Sequence, residues 1–218
     1  MLSEMSSTNG KIVKTRVLDL INLSYGSGSA YIPVIREGKE EIEANGTAIF
    51  KDEKYVDTLD SEETRGFLMI MGKLETGPVV LEIEGLGTVT LMLNGVKSDI
   101  KIEIQQGKPV YQIALEGTAF INAIDHEITD SLGAEYYQIF EEALAEKMQS
   151  QAYAAIEKAA VKNKSDIFSF GRRLLQQQTE YWRTHGETWG NDIAEAKYIV
   201  TVQAQITRVG QEITPGLS

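Results

Sequence analysis

The spacing of apolar residues changes period several times along the chain, and each change predicts an element. Thr15 to Ser24 places Val17, Leu18, Leu20, Ile21 and Leu23 on a short helix capped by Thr15. Tyr25-Gly-Ser-Gly-Ser29 breaks it and reads as a connector. Ala30 to Arg36 reads as extended, with Pro33 suiting an edge. Alternation from Glu41 to Lys51, a tight turn at Asp52-Glu53 and a second run from Lys54 to Leu59 predict a hairpin. Asp60 followed three residues later by Glu63 is a capping-box pattern. It predicts a helix through Thr64 to Met71 that stops at Gly72.

From Pro78 to Ile124 the period is two. Val80, Glu82 and Glu84 alternate with Leu81 and Ile83, and Ile100, Ile102 and Ile104 alternate with Lys101 and Glu103. One apolar face per strand predicts an antiparallel sheet buried on one side. Asn94-Gly95 reads as a strong hairpin turn, Gln106-Gly107 as a weaker one, and Gly117 as a bulge in the run from Val110 to Ile124. The helical period returns over Ala134 to Lys162, with Tyr137, Phe140, Leu144, Met148, Ala152 and Ile156 on one stripe. After Asn163-Lys164-Ser165, a second helix is predicted to start at Ser165 or Asp166 and run through Leu175. Trp182 to Asn191 reads as a polar turn region, Ala196 to Val209 as a last strand, and the rest as a tail. The fold class expected is α+β: an antiparallel β-sheet with two or three helices, including a long C-terminal helix pair, packed mainly on one face. The expected division is residues 1–40 as the tail of a preceding domain and connector, 41–210 as the main domain, and 211–218 as a frayed tail.

Composition narrows the function classes. The 218 residues carry a net charge of −11, which disfavours a phosphate backbone or an anionic membrane surface as partner. With no cysteine there is no disulfide, thiol nucleophile or thiolate metal site. No run is apolar enough to span a bilayer, and Met1 to Gly10 has neither a basic nor an apolar signal region. An export signal, if the protein works outside the cytoplasm, is expected upstream.

Candidate chemistry is sparse. Glu62, Glu63 and Arg65 are the most tempting cluster, but adjacent acids on one helix start do not span a cleft as a glycosidase pair does. They read as a capped helix with Arg65 pairing locally. Asp166 reads the same way, as a cap. Gly66 and Gly171 interrupt helical patterns and read as sites of close packing or of a helix bend, not of phosphate binding. Asp125-His126-Glu127 lacks a second histidine at helical spacing, and His185 is remote, so no metal is expected. Tyr181, Trp182 and Trp189 read as a packed aromatic cluster. There is no nucleophile elbow, phosphate loop or dinucleotide fingerprint, so neither a catalytic residue nor a cofactor is expected.

Two segments resemble the Ger(x)C family, the C subunits of nutrient germinant receptors in spore-forming bacteria. The first is Gly46 to Gly66, a hairpin and acidic cap ending in Glu62-Glu63-Thr64-Arg65-Gly66 before an apolar helix. The second is Ala159 to Gly171, with Lys164-Ser165-Asp166-Ile167-Phe168-Ser169-Phe170-Gly171 similar to the family's helix start. A Trp-bearing segment and a closing strand follow in both. The family-motif residues are thus Glu63, Thr64, Arg65, Gly66, Asp166, Phe168 and Gly171, all read as fold determinants. The resemblance implies a non-enzymatic receptor subunit on the outer surface of the spore inner membrane. It further implies a lipid anchor and two partners, the A- and B-type membrane subunits. Family members also carry a lipoprotein signal peptide, a lipidated cysteine and N-terminal domains, so this sequence corresponds to the family's C-terminal part. A second reading is a domain that senses a nutrient or lipid directly, in a groove between the long helices and the sheet.

Overall fold

The computed structural model of the chain describes residues 13, 28–37, 42–124 and 133–207. The expected helix over Thr15 to Ser24 and the Asp125-His126-Glu127 segment lie outside the described residues. The strands form two sheets where one was expected. The first is the antiparallel meander β1 (Ser29–Glu37), β2 (Ile42–Lys51) and β3 (Lys54–Leu59). β1 falls within the stretch expected to be a connector, and pairs with β2 from Ser29↔Lys51 to Glu37↔Ile42. The second sheet is ordered β4 (Thr76–Ile83), β5 (Gly87–Gln105), β6 (Lys108–Ile124) and β7 (Lys197–Thr207).

β4, β5 and β6 are antiparallel, but β7 runs parallel to β6 from Val110↔Lys197 to Phe120↔Thr207. Alternation reports which face a residue takes and says nothing about strand direction. Direction follows from the connection: the whole helical region separates β6 from β7, the kind of long crossover that parallel pairing needs. That region comprises α2 (Ala134–Ile156), continued by a π-helical turn at Glu157–Lys162, then α3 (Phe170–Gln177), α4 (Thr179–His185) and α5 (Trp189–Asp192). The polar turn expected between Trp182 and Asn191 is therefore mostly helical, closed by a 3-10 turn at Ile193–Glu195.

Local chemistry explains most boundaries. Asp52 and Glu53 both take positive φ, 48° and 64°, which matches the twist of a two-residue hairpin. α1 (Ser61–Ile70) starts on Asp60, whose carboxylate accepts from the Glu62 and Glu63 amides while Glu63 reaches back to the Asp60 amide at 2.7 Å. It ends at Gly72, φ 62°, with the Gly72 amide on Met69 O and the Lys73 amide on Leu68 O, a Schellman closure.

Asn94-Gly95 is a correction. β5 runs straight through it, because both halves of this strand find the same partner in β6. Gly95 has φ 85°, a conformation that serves a bulge as readily as a turn. The register slips between Leu93↔Ala119 and Val96↔Gly117, so the extra residue lies in β5, where Asn94 and Gly95 face Thr118, and not at Gly117. The β5–β6 hairpin closes instead at Gln106-Gly107.

The core lies between the helices and one face of each sheet. α1 is buried at every position from Thr64 to Ile70. α2 turns Phe140, Leu144, Met148 and Ala152 inward, all fully buried. The two helices touch backbone to backbone: a Cβ added at Gly66 would lie 2.0 Å from the carbonyl oxygen of Gln151. Helix side chains also occupy open strand edges. Gln149 donates to Val200 O at 2.7 Å, Tyr153 Oη accepts from the Val200 amide at 3.0 Å, and Glu141 accepts from the Ile206 amide at 2.9 Å. On β5, the Gln177 carboxamide accepts from the Ile102 amide and donates to Ile100 O, both at 2.9 Å, as a neighbouring strand would. Gln178 completes the edge at Ile102 O, 2.8 Å.

The Gly66 contact generates a prediction. Gly66→Ala has to separate α1 from the backbone of α2 and is expected to destabilise the fold by about 3 kcal/mol or more. Gly190→Ala, where an added Cβ meets nothing within 4 Å, is expected to be near neutral. Urea denaturation midpoints of the two variants at unchanged m check the contrast.

Candidate functional site

The first motif segment becomes the interface between α1 and α2. Four positions on α2 and its π turn carry Lys147, Gln151, Lys158 and Lys162, and these meet acids of α1 and β3. Lys147 Nζ lies 2.6 Å from Glu62, and Gln151 Nε2 donates to the same oxygen at 3.0 Å. Lys158 Nζ lies 2.5 Å from Glu63 and donates to Thr58 O at 3.1 Å. Asp57 accepts from Asn163 at 3.0 Å and pairs with Lys162 at 3.3 Å. Burial pushes the Glu62 carboxyl up, but contact with Lys147 and Gln151 outweighs it and holds the group below its ordinary pKa. The Asn163 hydrogen bond, with help from the Thr58 amide and Lys162, holds Asp57 low despite some burial. Burial also opposes the charge on Lys158, yet its contact with Glu63 leaves the pKa raised.

Thr64 and Arg65 point inward. Thr64 Oγ1, fully buried, donates to Thr47 Oγ1 at 3.0 Å. Arg65 is 4% exposed, and its Nη1 donates to Pro78 O at 2.5 Å, on the edge strand β4. Arg65 thus reaches across to the second sheet while also lying near the Glu62 charge on its own helix. Burial pulls the Arg65 pKa down, and the nearby Glu62 charge counters it.

The second segment forms the junction between α2 and α3. α3 starts at Phe170, later than the expected Ser165 or Asp166, because Lys164 and Ser169 adopt left-handed φ values of 49° and 59° and interrupt the helix. Asp166 still acts on that helix start, from four residues before it. Its buried carboxylate accepts from the Phe170 and Gly171 amides, each at 2.7 Å, and from Trp189 Nε1 at 3.1 Å. Burial pushes its pKa up, while the three N–H donors pull the other way. A Cβ at Gly171 would lie 2.4 Å from Trp189 Nε1, so the indole packs directly against bare backbone.

Aromatic rings join the two segments. Tyr31 meets Phe67 at 4.8 Å, Phe67 meets Phe168 at 5.4 Å, and Phe168 stacks on Phe170 at 4.8 Å. Phe170 then meets Tyr111 at 4.7 Å, whose hydroxyl donates to Phe170 O at 3.0 Å. Trp182 and Trp189 lie 6.4 Å apart, as a packed cluster requires, but Tyr181 leaves it to stack on His185 at 4.1 Å. Among the described residues no group of three His, Cys, Asp or Glu side chains is placed to hold a metal.

The sensing groove was expected between the helices and the sheet, but that space is filled by the α2 stripe. An open groove of about 570 Å³ lies instead on the opposite face of the four-stranded sheet, at the β5 bulge, lined by Asn94, Lys97, Glu116, Thr118, Gln203 and Gln205 among others. Sequence reading missed it because it took Asn94-Gly95 for a chain reversal. A 19-residue alternating run around that dipeptide was the signal available.

Comparison with known proteins agrees with this geometry. The sequence model of the family described as spore germination B3/GerAC-like, C-terminal, matches residues 45–210. Spore germination protein B3 of Bacillus subtilis (strain 168) is 22% identical over 212 residues, covering 96% of this chain and 56% of that protein. The crystal structure of the GerBC protein superposes with a TM-score of 0.80 at 20% identity, over 89% of this chain and 61% of that one. The chain thus spans little more than half the length of these relatives. The GerBC likeness establishes the α+β fold.

Two outcomes follow from the buried carboxylate and the ion pairs. Asp166→Ala strands three N–H donors and is expected to cost about 3 kcal/mol, with Asp166→Asn, which keeps one acceptor oxygen, in between. Denaturation midpoints and the near-ultraviolet circular dichroism of Trp189 check it. Asp57 and Glu62 have depressed folded-state pKa values, so their contribution is present above the unfolded values and lost as pH falls through the folded ones. Asp57→Asn combined with Glu62→Gln is therefore expected to flatten the loss of stability below about pH 4, measured as urea midpoints across a pH series.

Proposed function

The chain belongs to the spore germination B3/GerAC-like C-terminal family, and on that premise we propose that it is a non-enzymatic interaction module of a nutrient germinant receptor. The parent protein is then a lipid-anchored subunit at the outer surface of the spore inner membrane. It works in contact with the receptor's A- and B-type membrane subunits. Among the described residues no helix is long and apolar enough to cross a membrane, and attachment is assigned to the anchor of the parent polypeptide.

One observation carries the reading: the residues that mark the family turn inward. Thr64, Arg65, Asp166 and Phe168 are buried, Glu63 is tied to Lys158 and the Asp60 amide, and Gly66 and Gly171 lie against Gln151 and Trp189. Under this proposal they hold the scaffold, and the surface they support meets the partner subunits. Glu62 and Glu63, the best candidates for acid–base work, are both engaged by lysines of α2.

Deleting residues 45–207 from the parent protein, with its anchor and remaining domains retained, tests the reading. Loss of co-purification with the A- and B-type subunits from solubilised spore membranes, and loss of nutrient-triggered germination, are expected. Normal germination by such spores would overturn it.

A further inference from the structure

The four-stranded sheet has the α2 stripe packed on one face, and on the other the β5 bulge opens the groove. Thr118 Oγ1 donates to Asn94 O at 3.0 Å and pins the bulge in place. β4 ends at the same level, where Thr76 pairs with Asn94. Two rows of side chains cross the groove in register. One is Lys97–Glu116–Gln203 and the other is Thr118–Gln205, and every member is exposed.

The first row is chemically unusual for this protein. Lys97 and Glu116 are direct cross-strand partners of opposite charge, an arrangement that normally closes into an ion pair. Elsewhere Lys108–Glu195, Lys147–Glu62, Lys158–Glu63 and Lys162–Asp57 all close to 3.3 Å or less. Among the described residues the Lys97 and Glu116 side chains make neither an ion pair nor a hydrogen bond. They present a cation and an anion side by side in an open groove, with two carboxamides on the next strand.

We propose that this groove binds a small zwitterion, its carboxylate on the Lys97 ammonium and its ammonium on the Glu116 carboxylate. The Gln203 and Gln205 carboxamides, each both donor and acceptor, take the polar groups beside these charges. A zwitterion fits better than a simple anion, because the chain's net charge of −11 repels anions while a neutral dipole is not excluded. Binding is weak, since both charges are solvated and the groove is open.

The test uses the full 218-residue chain, isotopically labelled and observed by amide NMR. Glycine, β-alanine and 4-aminobutanoate are titrated as zwitterions of increasing charge separation, with N-acetylglycine and glycinamide as single-charge controls. Saturable shifts at Lys97, Glu116, Thr118 and Gln203 are expected with at least one zwitterion, and binding of both controls about fivefold weaker. Lys97→Gln and Glu116→Gln are each expected to lose about fivefold in affinity at unchanged melting temperature. No saturable shift with any zwitterion, controls that bind equally well, or variants that bind as tightly as the parent chain would overturn the assignment. Co-purification with membrane subunits is a separate readout, so failure here leaves the interaction module standing.

Discussion

Gly66 is where α1 rests on the backbone of α2, and much of the molecule depends on that approach. With no side chain between them, Gln151 O and the α1 backbone share a contact that any larger residue would prise open. The closeness places Glu62 and Glu63 within reach of Lys147 and Lys158, whose side chains would otherwise extend into solvent. It also lets α1 be buried at seven consecutive positions, from Thr64 to Ile70, which a surface helix never is. Phe67 can then touch Tyr31 in the first sheet and Phe168 beyond α2. Two sheets that share no hydrogen-bonded strand are thereby joined by one short helix and a run of rings.

Asp166 repeats the logic at the other end of α2. The π turn at Glu157–Lys162 and the left-handed residues Lys164 and Ser169 end one helix and delay the next. Residues 163–169 lie outside both helices, Ser165 to Phe168 among them are buried, and the first amides of α3 have no helical acceptor, which is costly unless a side chain supplies one. Asp166 supplies them to Phe170 and Gly171, and adds Trp189 from the approach to β7. The start of α3 and the return of the chain towards the sheet are fixed by one carboxylate. Gly171 permits this because the indole needs the room that a Cβ would fill.

Local chemistry was readable in the sequence wherever it acts over a few residues. The capping box at Asp60 and Glu63, the stop at Gly72 and the turn at Asp52-Glu53 all have the expected geometry. Close packing at Gly66 and Gly171 was legible too, because glycine inside a helical pattern costs stability without a packing reason. What escaped depends on long-range pairing. A dipeptide such as Asn94-Gly95 supplies positive φ, and only β6 running past both halves of β5 decides that it bulges and does not reverse. The direction of β7 is set by the length and path of its connection, and its own alternation carries no trace of it. Asp166 was recognised as a cap, but its distance from α3 reflects backbone strain at Ser169 that residue type does not announce.

The two faces of the large sheet are linked by a single choice of register. On the inner face, Gly117 leaves space that Met148 fills, since an added Cβ would meet the Met148 methyl carbon at 2.9 Å. α2 can therefore lie close against β6 only while Gly117 stays opposite that methionine. On the neighbouring strand, the same residue pairs with Val96, directly after the bulge at Asn94-Gly95. Removing the insertion would shift either Lys97 away from Glu116 or the apolar Ile100 and Ile102 out of the core, because a one-residue slip exchanges the faces of a strand. The bulge reconciles a β5 half that pairs with β4 and a half that faces α1 and α3, and the groove is the outward side of that compromise. Its lining is thus held by the core, although every polar residue that lines it is in solvent.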